Sequence, residues 1–217
     1  MNESVKTPAR ATPLDPAAKA AAALQAADEA RHIESFSRLL DKMGLRFAVS
    51  PALDRLLFDV LERSDPTLTA LGMQILIEGL ALAFFKTLQL YSGEPLVKRL
   101  LALIGRDEAR HFAGGQIALA EHHKQLGAAE LCQREQFVIA AFRLLDDYLF
   151  ADELWEPLGL PRRECAQLVR ASPVTASMHR TLFRHLVPAV RAIGLLGPEA
   201  ERAFMSMGVL DYAAYPV

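Results

Sequence analysis

The pentapeptide Asp-Glu-Ala-Arg-His occurs twice in this chain, at 28–32 and at 107–111. Each copy sits in a stretch whose residues recur at steps of three and four. One face reads Val97, Leu101, Ile104, Glu108, His111, Gly115 and Leu119; the other reads Gln25, Glu29, His32, Phe36, Leu39 and Met43. Such spacing marks one side of an α-helix. A glutamate and a histidine three positions apart lie on that side about one turn from each other. Two helices that each present Glu-x-x-His from an apolar stripe match the way a di-metal carboxylate centre is built into a four-helix bundle.

A third carboxylate strengthens the pattern. Glu78 is the one formally charged group between Pro66 and Phe85. An unpaired carboxylate in such a stretch costs several kcal/mol or takes up a proton. A bound cation removes the difficulty; an arginine from another helix would also do so. With Glu-x-x-His helices before and after it, the cation is the favoured reading. Carboxylates with imidazoles suit iron or manganese, and the lack of thiolates in the pattern argues against structural zinc.

Composition narrows the class. With 217 residues, 52% of them hydrophobic, the chain is long and apolar enough to bury a real core. The net charge of −2, with both signs interspersed, gives no nucleic-acid surface. Cys132 and Cys165 are isolated, which fits a reduced, cytoplasmic compartment. No apolar signal segment opens the chain. The longest apolar run, Leu71 to Phe85, is short for a membrane span and contains Gln74 and Glu78, so it reads as a buried helix and no membrane partner is expected.

Helix starts are unusually legible. Asp15-Pro16, Ser50-Pro51, Asp65-Pro66 and Glu94-Pro95 each place proline at a first helical position, the first three behind a capping side chain. The helices so begun are expected to run through His32 to Gly44, along the face Leu53, Leu57, Val60, through Glu78 to Tyr91, and through His111 to about Gly127. Further helices are expected at 129–150, 161–171, 173–193 with a bend at Pro188, and 198–207, with a short turn at 152–156. Residues 1–14 read as a loose tail and 15–211 as a single all-α domain, 15–127 carrying the metal-binding helices and 128–211 forming an extension. His122 and His123 read as surface groups near a helix end, and no role falls to His179 or His185. Gly114-Gly115 makes room either for a substrate or for a close-packed helix.

The motifs at 28–32, 71–80 and 107–111 resemble the ferritin-like di-iron oxygenases, most closely the p-aminobenzoate N-oxygenase branch. Asp152-Glu153-Leu154-Trp155 and Met207-Gly208-Val209-Leu210-Asp211 share in the likeness, which runs from about residue 15 to 211. It implies a ferritin-like bundle holding two iron ions, with manganese as the other option. Glu29 and Glu108 would bridge the ions, Glu78 and His111 would hold one, and His32 the other. Asp28 and Asp107 would each orient the histidine on the opposite helix, with Arg31 and Arg110 neutralising them. The implied activity is O₂-dependent oxidation of a small organic substrate, in its sharpest form N-oxygenation of an arylamine, with an external electron donor.

The likeness is incomplete. The family supplies a sixth ligand from a helix upstream of the first motif; here Glu3, in the expected loose tail, is the only glutamate before Glu29. Asp147, Glu153 or a second copy of the chain in a homodimer are the substitutes. A metal-binding protein without turnover is therefore the principal alternative. Iron storage fits poorly with the long extension. A radical-generating subunit fits poorly with Phe36 and Gly115, which stand where its tyrosine is expected.

Overall fold

The computed structural model describes residues 16–45, 51–61, 65–150, 155 and 158–214. The expected tail, the caps Asp15 and Ser50, and Asp152 to Leu154 of the expected turn, with Glu153 among them, lie outside the described residues. Every element among the described residues is helical, and none is a strand. The chain divides into two compact units, Met1–Arg46 and Phe47–Val217.

The first unit carries one long helix, α1, Pro16–Met43. Its alanine-rich start has high helix propensity. It stops at Gly44, whose φ of +69° suits glycine. There the amide of Gly44 bonds the carbonyl of Asp41 and that of Leu45 bonds Leu40, closing the last turn. His32 is buried, whereas Leu24 and Ile33 are exposed.

The second unit begins with α2, Pro51–Leu61, followed by α3, Pro66–Tyr91. Asp65 caps α3, its carboxylate accepting from the Thr67 amide at 2.8 Å, with Pro66 next. A three-residue connection leads to α4, Pro95–His123. Then come α5, Ala128–Phe150, α6, Arg162–Ala171, α7, Pro173–Ala192, and α8, Pro198–Ser206. A 3₁₀ turn at Leu210–Ala214 ends the described chain. The expected helix bounds hold to within a residue or two, except that α4 ends at His123 rather than near Gly127.

Helix α3 is the axis of this unit. It packs along α4 on one side and against α7 on another. By length and composition it is the one described helix that could cross a membrane. Small residues let its neighbours close in. A Cβ on Gly79 would meet Leu186 of α7 at 2.4 Å, and one on Gly72 would meet Val60 of α2 at 2.4 Å. Beyond it, Phe142 of α5 stacks on Phe204 of α8 with ring centroids 4.3 Å apart and tilts against Phe183 of α7 at 5.4 Å. All three rings are fully buried, so the extension is welded to the core by aromatic contacts.

Helix α3 is not α-helical throughout. From Gly72 to Ile77 its backbone forms a π-helix, and regular α geometry resumes at Glu78. Such turns are uncommon and gather at functional sites. Nothing in the sequence announces this one.

Candidate metal centre

Glu78 reaches the interior because it follows the π turn on a helix that is otherwise apolar there. Glu108 and His111 come from α4, whose apolar residues Leu101, Ile104 and Leu119 fix the same face inward. The three side chains are 5%, 4% and 8% exposed. The Nδ1 of His111 lies 3.0 Å from Glu108 Oε2 and 3.5 Å from Glu78 Oε1. One ligand atom from each of the three falls within 4.8 Å of the others.

Two carboxylates this close and this dry repel each other. A proton shared with the imidazole offsets part of that repulsion, and a divalent cation offsets more. Two oxygens and one nitrogen form a donor set that could hold a metal ion. Because Nδ1 faces both carboxylates, it is the nitrogen presented to a metal.

The first unit repeats the local arrangement. His32 Nδ1 lies 3.5 Å from Glu29 Oε2 on α1. The neighbouring charges match as well. Arg31 pairs with Asp28, and Arg110 pairs with Asp107 at 2.5 Å, each across one helical turn. Each arginine thus pairs with the aspartate of its own motif.

Glycines 114 and 115 separate in role. A Cβ on Gly115 would meet the Cβ of Gln74 at 2.4 Å, so this glycine admits the π segment of α3. Gly114 faces open space. The close-packing reading therefore holds at Gly115.

Two residues were misjudged or missed. His123 is not a surface group: it is 4% exposed, and its Nδ1 donates to the Ile193 carbonyl at 2.7 Å. Burial holds its imidazole below its ordinary value of 6.5, the Ile193 bond works against this, and Arg134 and His122 add to the lowering. Arg134 is equally buried, bonded to Asp65 Oδ2 at 2.9 Å and to the Thr67 hydroxyl. Burial pushes the Asp65 carboxyl up, but the Thr67 bonds and the Arg134 guanidinium outweigh it and leave it below the usual carboxylate range. These contacts span some 69 positions of chain, so no local pattern reveals them.

Compared with protein-family models, curated proteins and solved structures, the chain gives no match.

Proposed function

We propose that Glu78, Glu108 and His111 bind iron, and that the protein is a ferritin-like, O₂-dependent oxidase of a small organic substrate. The observation that carries the metal reading is the burial of two carboxylates and an imidazole with their ligand atoms within 4.8 Å. The oxidase reading and the ferritin-like family rest on the paired Asp-Glu-Ala-Arg-His motifs. Glu29 and His32 enter as bridging and terminal ligands of a second ion on that sequence likeness alone.

A cation needs the lone pair of His111 and both carboxylates in their charged form, so binding competes with protons and weakens in acid. Glu78 and Glu108 supply the negative charge that holds the cation, and the apolar wall of α3 and α4 keeps bulk water away. The chemistry supplied by bound ferrous iron is the reduction of O₂, renewed by an external electron donor.

The test is metal analysis followed by turnover. Protein purified, stripped and reloaded anaerobically with ferrous iron is expected to retain metal after desalting, and His111→Ala to lose it. O₂ uptake is then measured with a reductant across small arylamines and other organic acids and amines. Wild-type protein that retains no iron would end the metal reading. Stoichiometric binding without substrate-dependent O₂ uptake would leave a binding protein in place of an oxidase.

A further inference from the structure

A groove of about 720 Å³ opens between α3, α4 and α7 in the second unit. Its wall is apolar, with Leu82 and Phe85 from α3 and Phe112 from α4. Each of the three helices also contributes a cation: Lys86, Arg106 and Arg184. No aspartate or glutamate lines it. Neither the Lys86 nor the Arg106 side chain has an ion pair or hydrogen bond among the described residues. Lys86 and Arg106 on a concavity lined by no acidic side chain set up a positive potential focused by low-dielectric walls. The volume lies within the range of pockets that enclose a small organic molecule.

We propose that this groove binds an amphipathic anion: an apolar chain or ring system bearing one carboxylate or phosphate head group. The head group lies among Lys86, Arg106 and Arg184, and the apolar body lies along Leu82, Phe85 and Phe112. Arginine recognises either head group through paired N–H donors, and lysine adds a point charge. The proposal stands on the groove alone and does not depend on metal at Glu78, Glu108 and His111.

The experiment is calorimetric titration of the full chain, stripped of metal, with dodecanoate, dodecyl phosphate, dodecyltrimethylammonium and acetate. Binding of one or both dodecyl anions is expected, and preference between them identifies the head group. The cation and acetate are expected not to bind, because one lacks the charge and the other the apolar body. Lys86 and Arg106 are exposed, so a Lys86→Glu/Arg106→Glu double variant keeps the fold and should weaken dodecyl-anion binding by at least about tenfold. An Arg162→Glu control, outside the groove, should leave it unchanged. Equal binding of the dodecyl cation, or undiminished anion binding by the double variant, would overturn the proposal. Iron content is measured in parallel, so failure here is distinguished from failure of the metal centre.

Discussion

Gly115 and Gln74 meet with no room for another atom: a Cβ on the glycine would lie 2.4 Å from the Cβ of the glutamine. The contact locks α4 against the π segment of α3, one turn beyond His111. It therefore sets the separation between the helix that carries Glu78 and the helix that carries Glu108.

Adjacent glycines should consequently respond in opposite ways to the same substitution. Gly115→Ala forces one helix off the other and should destabilise by about 1–3 kcal/mol, as overpacking does. Gly114→Ala fills open space and removes the entropy cost of a mid-helix glycine, so it should stabilise by roughly 0.5–1 kcal/mol. Chemical denaturation of the two variants decides the matter. Equal effects would mean that the contact with Gln74 does not constrain the helices.

Substitution at Glu78 should reverse sign with metal. In stripped protein, Glu78→Gln relieves repulsion with Glu108 and should raise the melting temperature. In iron-loaded protein the same change removes a charged ligand and should lower it, because a ligand that binds the native state stabilises it by mass action. Melting curves with and without ferrous iron provide the comparison. A Glu78→Gln protein less stable in both conditions would point to a structural carboxylate.

If Glu108 bridges two ions, it serves both, whereas Glu78 serves one. Glu108→Ala should then strip more iron than Glu78→Ala. The metal-to-protein ratio after desalting measures this, and equal losses would argue for a single ion.

No persistent tyrosyl radical is expected after reconstitution with ferrous iron and O₂. Phe36 holds the position one turn past His32 and has no phenolic proton to lose. Tyr91 is 52% exposed at the far end of α3, where solvent would quench a radical. Electron paramagnetic resonance is the check; a stable tyrosyl signal would move the protein to a radical-generating class.

Acid should weaken the second unit through His123. Its folded value is lowered, so the unfolded chain binds the proton more readily. The stability this gives is complete above the unfolded value near 6.5 and declines as pH falls from there through the folded value. His123→Gln keeps a donor for Ile193 but cannot titrate. Between about pH 7.5 and 5, its melting temperature in metal-free protein should fall less than that of wild type. Parallel curves would show that burial of this imidazole has no thermodynamic weight. Asp65 acts in the same direction at lower pH, below the ordinary carboxylate value of 3.8.

What the sequence discloses follows from the range of the forces involved. Caps such as Asp65-Pro66 act within a few residues, so helix starts can be read directly. Glu78 stands out because a charge in an apolar run demands a partner, and Glu108 with His111 because a three-residue step fixes their common side. Arg134 with Asp65, and His123 with Ile193, join distant parts of the chain and leave no periodic trace. Gly115 shows the boundary between these cases: its lack of a side chain is plain, yet only Gln74 explains it. The groove is hidden for the same reason, since its three cations come from three helices.

The π turn has a consequence for how α3 tolerates insertion and loss. A π turn lodges an additional residue in a helix, and each residue of an α-helix advances the chain by about 100° about the axis. Deleting one residue between Gly72 and Ile77 would let the segment relax to ordinary winding and leave its two ends nearly in phase. Winding the same number of residues as regular α-helix would instead leave Leu68 and Leu71 at their bearings and swing Glu78 and Leu82 away by up to one residue's step of about 100°. The six residues thus act as a phase offset, and the aim of the Glu78 carboxylate is written in how many residues precede it as much as in which ones.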